Sequence, residues 1–338
     1  MSATPARFVH QVARPQGAPT AADFGMVEGT VPAPGPGQAL VENVYLSVDP
    51  YMRELMDGGW DLHAPLEGRA IGRVTASRAA GLPVGALVFH RQGWRTHALV
   101  PPGQARVLPH HPGVPARVFL GLLGGTGLTA YVALTRTAAL RPGEDVFISA
   151  AAGGVGSAAG QLARLLGARR VVGSAGSAEK VRRLTGEWGF DAAFDYHDGP
   201  VGQLLAEAAP DGVDVYLDNV GGEHLEGAIE GLREFGRIAW VGAIAQYNSA
   251  QPPAAPRNLY EIVDKSLRLE GVLVRNHRSV QSELEDFLVP HLRAGRVVDV
   301  QSVVHGFDNV VEAFLGMLRG ANTGKTVVRI AEEGAAEA

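Results

Sequence analysis

The chain has no cysteine in its 338 residues. That excludes disulfides, thiolate catalysis and every zinc site that needs a sulfur ligand. Charge is sparse as well: 19% of residues are Asp, Glu, Lys or Arg, the net charge is −5 and the pI is near 6.1. Surfaces that bind nucleic acid are usually basic, so no such partner is expected. The longest uncharged run, residues 118–135, approaches membrane length but carries four glycines and three threonines. It reads as a strand or turn leading into a helix, and no membrane association is expected. Residues 1–22 contain Pro5, Pro15 and Pro19 and lack the apolar core of a secretory signal, so a cytoplasmic location is expected. The eleven histidines show no ligand spacing such as His-Glu-x-x-His, and no metal is expected.

Glycine and apolar residues are abundant instead. There are 44 glycines, and 46% of the chain is hydrophobic, enough for a large core. The length suggests two domains on the prior of roughly 150 residues each. Up to about residue 115, short apolar strings such as Gly37-Gln38-Ala39-Leu40-Val41 are broken by Pro and Gly. That texture predicts a small β-rich domain.

From about residue 140 strands and amphipathic helices alternate. Strands are expected near 145–150, 170–174, 192–196, 214–220, 237–243 and 267–274, and helices over 157–166, 178–184, 223–235 and 280–294. The alternation predicts an α/β fold with a doubly wound parallel sheet. The tail from 297 to 330 carries strand, helix and strand signals, and residues 331–338 are expected to fray.

The segment after the first of these strands is Ala151-Ala152-Gly153-Gly154-Val155-Gly156-Ser157, followed by a helix. Glycines here let the backbone turn sharply and approach a pyrophosphate, and the helix N-terminus offers N–H groups and a positive dipole end. Gly160 would let the helix pack close to the sheet. A dinucleotide site selective for NAD places an acid about 20 residues on, against the adenine ribose. Here the second strand ends Val171-Val172-Gly173-Ser174, with Lys180, Arg182 and Arg183 following. A missing acid and an added cation suit the 2′-phosphate of NADP(H). Gly320-Ala321-Asn322-Thr323-Gly324-Lys325-Thr326 mimics a P-loop, but it is one residue short and a strand follows where a helix is needed.

Several motifs occur in the order of one known family: Leu46-Ser47-Val48-Asp49-Pro50-Tyr51-Met52-Arg53, Gly127-Leu128-Thr129-Ala130-Tyr131, the glycine turn, Asp218-Asn219-Val220-Gly221-Gly222 and Gly324-Lys325-Thr326. The chain resembles the zinc-independent medium-chain dehydrogenase/reductases of the leukotriene B4 dehydrogenase, prostaglandin reductase and alkenal double-bond reductase type, which include curcumin reductase. The resemblance implies a GroES-like β domain from residues 1–130 with 295–338, and an NADP-binding Rossmann domain from 131–294. It implies a homodimer, and NADPH-dependent reduction of the C=C bond of α,β-unsaturated aldehydes or ketones without a metal. A quinone or carbonyl reductase on the same scaffold, or a non-enzymatic NADP(H)-binding sensor, is the alternative.

The resemblance also assigns cofactor positions. Gly153, Gly154, Val155 and Gly156 would hold the pyrophosphate, and Lys180 and Tyr196 would meet the 2′-phosphate. Asn219 would stand at the fourth strand's end. Val241, Gly242, Ala243, Ile244 and Tyr247 would run along the cofactor. Val272, Leu273 and Val274 would flank the nicotinamide, and Asn322 would reach in from the tail. Zinc-using relatives carry a Gly-His-Glu segment near Pro65-Leu66-Glu67-Gly68-Arg69, where this chain has none. A donor to the developing enolate oxygen must then be a hydroxyl, an amide or the cofactor ribose. The family's donor tyrosine aligns with Asp264, a departure from the pattern. Tyr260, one helical turn earlier, and Tyr51 are the candidate catalytic hydroxyls.

Overall fold

The broken apolar strings of the N-terminal third pair into strands because alternate side chains find a core on one face. The computed structural model describes residues 3–101, 103–248 and 255–333. It separates into two compact units, Met1–Leu120 with Gln301–Asn322 and Thr326–Ala338, and Gly121–Val300 with Thr323–Lys325. Residues 334–338, part of the tail expected to fray, lie outside the described residues.

The N-terminal stretch supplies β1 (Thr4–Gln11), β2 (Phe24–Val31), β3 (Ala39–Ser47), β4 (Ala70–Ser77), β5 (Leu87–His90), β6 (His97–Val100) and β7 (Ala105–Val107). The middle of the chain follows with β8 (Asp145–Ile148), β9 (Arg170–Ala175), β10 (Ala192–Asp195), β11 (Val213–Asp218), β12 (Leu232–Trp240) and β13 (Arg268–Gly271). The tail adds β14 (Gln301–His305), a helix at Val310–Leu318, and β15 (Lys325–Arg329).

In the first unit, β1 and β2 form an antiparallel pair, and β3 pairs antiparallel with β4, β6 and β15. Phe24, Met52, Met56, Trp60, Trp94 and Phe314 build its largest core cluster, with Phe24 stacked on Trp94. The returning tail is therefore part of this core, through Phe314, and of its sheet, through β15.

In the second unit the order is β10-β9-β8-β11-β12-β13, and every adjacent pair is parallel. Renumbered from β8 this is 3-2-1-4-5-6, the doubly wound order whose switch point lies between the first and fourth strands. Phe147, Val172, Tyr216, Leu225 and Ile238 belong to its core. The helix Gly154–Leu165 packs tightly behind the sheet: a Cβ at Gly160 would lie 2.2 Å from the Phe190 ring. The run 118–135 contains the helix Gly125–Val132, and no helix among the described residues is long and apolar enough to cross a membrane.

One expectation is corrected. A helix over 223–235 ends instead at Gly231, and β12 begins at once with Leu232. Leu232, Arg233 and Glu234 suit a helix intrinsically, but pairing Leu232 with Val213 of β11 buries its side chain in the sheet core. Tertiary pairing overrides local propensity here.

Candidate functional site

All carboxyl ends of a parallel sheet lie on one side, and in the second unit that side gathers most of the expected cofactor residues. The chain leaves β8 through Ala150, which has a positive φ of 46°, and enters the helix at Gly153, its N-cap. Gly156 is obligatory: a Cβ there would sit 2.4 Å from the Ala150 carbonyl oxygen and 2.6 Å from the Ala151 Cα. Gly153, Gly154 and Val155 stay half-exposed at the mouth of this turn. The first N–H groups of a helix have no partner within it, which makes the turn an anion seat. Gly324 closes the back of the turn, donating its N–H to the Ala152 carbonyl at 2.7 Å with φ 68°. The P-loop look-alike is followed by β15, so it offers no helix N-terminus of its own.

At the switch point the ends of β8 and β11 are tied together. The Asn219 amide Nδ2 donates to the Ser149 carbonyl at 2.7 Å, and its backbone N–H donates to Ser149 Oγ at 2.9 Å. Beneath them Asp218 is fully buried, and its Oδ1 accepts from Tyr216 Oη, Ser149 Oγ and the Val220 and Gly221 N–H groups at 2.7–3.2 Å. Burial pushes the Asp218 carboxyl above its ordinary range, against those four donors. Sequence reasoning had Asp218 only as part of a motif and Ser149 only as a strand residue. The available signal was an acid closing the apolar strand Val215-Tyr216-Leu217-Asp218 just before Asn-Val-Gly-Gly.

The Asp218 carbonyl also accepts from the Val241 and Gly242 N–H groups, and Asn219 and Val220 carbonyls accept from Ile244 and Ala245. These bonds fold the segment after β12 over the end of β11. Ala243 belongs to this fold, and Tyr247 turns its hydroxyl back toward Gly242, 3.6 Å from where a Cβ would stand. Val272 is held by a bond from its N–H to the Trp240 carbonyl and is buried; Leu273 beside it is half-exposed, and Val274 opens a short 3-10 helix.

The loops after β9 and β10 bring the two expected 2′-phosphate residues to neighbouring strand ends. Ser177 caps the helix Ala178–Glu187 through its Oγ, and Lys180 follows in the first turn, half-buried. Burial lowers the Lys180 ammonium's pKa from its ordinary value. Tyr196 donates its N–H to the Ala175 carbonyl and folds over Gly176. Arg183 is engaged elsewhere, paired with Glu187 and stacked on Trp188. No acid stands at the end of β9, where an NAD site would place one. The glycine turn, the anchored Asn219 and this acid-free, lysine-bearing loop fit a dinucleotide carrying an extra phosphate.

Three expected residues lie on other elements. Asn322 belongs to the tail segment counted with the first unit. Tyr260 starts the one-turn helix Glu261–Asp264 and is 72% exposed, and Asp264 is exposed as well. Tyr51 lies in the first unit, at the start of a short helix beneath the Arg69 guanidinium, which sits 5.1 Å from the ring centre. Arg69 donates to Asp49 Oδ1 at 3.0 Å, and Ser47 Oγ donates to Asp49 Oδ2 at 2.6 Å. The Tyr51 hydroxyl is buried and has no hydrogen-bond partner among the described residues. Burial, reinforced by Asp49, pushes its pKa up, so it stays protonated throughout the neutral range. A buried donor left unspent is costly unless a ligand uses it.

Among the described residues no group of three or more His, Asp or Glu side chains is arranged to hold a metal. Residues 7–108 match the family described as the N-terminal domain of oxidoreductase, and residues 154–290 match the zinc-binding dehydrogenase family. Prostaglandin reductase 1 of Bos taurus is 39% identical over 93% of this chain and 95% of its own length. The NADP(+)-dependent 2-alkenal reductase of Nicotiana tabacum is 37% identical over 88% of this chain and 89% of its own. The crystal structure of CurA from Vibrio vulnificus in complex with NADPH superposes with a TM-score of 0.91 at 31% identity, covering 96% of this chain and 99% of that one.

Proposed function

Because the chain belongs to the zinc-independent medium-chain dehydrogenase/reductases, in the branch of prostaglandin reductase, 2-alkenal reductase and curcumin reductase, we propose that it reduces the C=C bond of α,β-unsaturated aldehydes and ketones with NADPH. The observation that carries this reading is near-full-length kinship with an NADP(+)-dependent 2-alkenal reductase.

When bound, NADPH supplies the hydride that reaches the β-carbon of the substrate. The chain's own residues then have three tasks. Gly153, Gly154, Val155 and Gly156 seat the pyrophosphate on backbone N–H groups, and Lys180 and Tyr196 receive the 2′-phosphate. Asn219, Val241, Gly242, Ala243, Ile244 and Tyr247 line the crevice along the cofactor. Val272, Leu273 and Val274 flank the nicotinamide, and Asn322 reaches in from the tail. The third task is chemical. Reduction leaves negative charge on the substrate oxygen, and a preorganised donor there lowers the barrier.

Tyr51 takes that role. Its hydroxyl is protonated at neutral pH, desolvated and without a hydrogen-bond partner among the described residues, and Arg69 holds its ring. Tyr260 is the second candidate; its exposure argues for a lesser part. The protein works in the cytoplasm as a homodimer. Support for the dimer comes from β13, an edge strand of its sheet, flanked in sequence by the exposed Leu259, Tyr260, Val263 and Leu273. Sedimentation at monomer mass would remove the dimer.

The activity is tested by following NADPH oxidation with a 2-alkenal, an alkenone, a quinone and a saturated ketone. Turnover of the first two, with the saturated ketone inert, is expected. Reaction with the quinone alone would reassign the enzyme, and NADPH binding with no turnover of any would make it a sensor.

A further inference from the structure

Tyr196 joins two loops and one helix at the edge of the nucleotide crevice. Its backbone N–H is bound to the Ala175 carbonyl at 3.1 Å, so the chain leaving β10 is pinned to the end of β9. The side chain then folds over Gly176: a Cβ on that residue would stand 2.9 Å from Tyr196 Oη and 3.1 Å from Cε1. No larger residue at 176 leaves the hydroxyl where it is.

Two imidazoles flank the ring. His197 lies 4.1 Å away between centroids, exposed, with its Nδ1 on Asp195 at 2.8 Å. His224 comes from the first turn of the helix Gly222–Gly231 and meets Tyr196 edge-to-face, at 5.2 Å and 74°. It is buried to 6% exposure, and its Nε2 has no hydrogen-bond partner among the described residues. Burial lowers its pKa to about 4, so the ring is neutral at pH 7. A neutral imidazole edge against an aromatic ring is a favourable contact.

We propose that Gly176 and His224 are positioning residues that fix the Tyr196 hydroxyl at the 2′-phosphate, and thereby set the preference for NADPH over NADH. The inference rests on the reading of Lys180 and Tyr196 as the 2′-phosphate site and names what holds that site in shape. Gly176 does so by what it lacks, since the missing Cβ opens the space the hydroxyl fills. His224 does so by closing the ring's freedom from the neighbouring helix.

The two residues can be tested independently. Gly176 has no left-handed φ, and the atom a Cβ would meet is the tip of a side chain. Gly176→Ala is thus expected to fold and to displace the hydroxyl. Binding of NADP+ and of NAD+ is measured by calorimetry, without turnover, on the intact chain and on Gly176→Ala, His224→Leu, His224→Phe, Tyr196→Phe and Lys180→Ala. Melting without nucleotide checks each fold.

Gly176→Ala and His224→Leu should each weaken NADP+ by about 3- to 10-fold, the range of one aromatic or hydrogen-bonding contact, and leave NAD+ within about 2-fold. His224→Phe keeps an aromatic edge and should keep the preference. In a Tyr196→Phe background Gly176→Ala should cost less than about 2-fold, because no hydroxyl remains to displace. If Lys180→Ala and Tyr196→Phe weaken NADP+ selectively but Gly176→Ala and His224→Leu do not, the positioning role is wrong and the phosphate site stands. If Lys180→Ala and Tyr196→Phe affect both nucleotides alike, the phosphate site is misplaced and the positioning role falls with it. Should His224→Leu fail to fold, Gly176→Ala decides alone.

Discussion

The two units bury polar groups to opposite ends. In the second, Asp218 gathers four donors on Oδ1 while its buried Oδ2 has no partner among the described residues, and Asn219 spends its amide on Ser149, so most of this polar capacity goes into holding the backbone. Left half-exposed at the mouth of the glycine turn are Gly153, Gly154 and Val155. In the first unit Asp49 and Arg69 are paired with each other, and the Tyr51 hydroxyl packed against them has no partner among the described residues. In the proposed mechanism the cofactor is met mainly by backbone, and the substrate's developing charge by the Tyr51 hydroxyl.

The sharpest way to break the first half of this comparison is Gly156→Ala. The added carbon would overlap backbone, 2.4 Å from the Ala150 carbonyl and 2.6 Å from the Ala151 Cα, and neither can swing away as a side chain could. The turn must open, and NADPH affinity should fall more than about 100-fold, with a loss of roughly 3 kcal/mol in stability. Gly153→Ala meets its nearest neighbour at 3.1 Å and should cost far less. Equal effects from the two, read by calorimetry and urea denaturation, would show that the turn is pliable.

Next in size is Asp218→Ala. It strands Tyr216 Oη, Ser149 Oγ and two backbone N–H groups in the core, for a loss of about 2–4 kcal/mol. Asp218→Asn keeps an oxygen for those donors and should cost much less. The pH dependence adds a sign. Burial raises this carboxyl's pKa, so the folded chain holds the proton to higher pH than the unfolded one. Its contribution is complete below the ordinary carboxyl pKa and is lost as pH rises through the folded value. Relative to the parent, Asp218→Asn should therefore gain stability between acid and neutral pH in urea titrations. A constant difference would mean that folding leaves the Asp218 pKa unshifted, and a difference of the opposite sign that folding lowers it.

How much of this was legible follows the same division. The glycine turn announces itself because strand, glycines and helix are contiguous, and 3.6 against 2 periodicity separates the elements around it. Lys180 is legible as a cation following an acid-free strand end, whereas Tyr196 comes only from the family resemblance. The role of Asp218 is not legible, since it depends on Ser149, 69 residues earlier, arriving on the adjacent strand. The start of β12 was hidden by helix-forming residues at 232–234 that pairing overrides. The orphaned Tyr51 hydroxyl was invisible for another reason: a missing partner leaves no mark on a sequence.

The second half of the comparison turns on two tyrosines, and the expected effects are smaller. Tyr51→Phe removes a buried hydroxyl with no partner among the described residues, so stability should hold or rise by about 1 kcal/mol. Turnover should fall about 10- to 100-fold with NADPH affinity unchanged, the signature of a group used only as charge develops. Tyr260→Phe strips a hydroxyl from a ring 72% exposed at the start of a one-turn helix. Among the described residues the ring stands largely open, and turnover of this variant should stay within about 2-fold of the parent. If Tyr260→Phe were the more damaging of the two, the donor would lie in the second unit after all. Exposure would then be the property of an open site, and the unspent bond at Tyr51 only a flaw in packing.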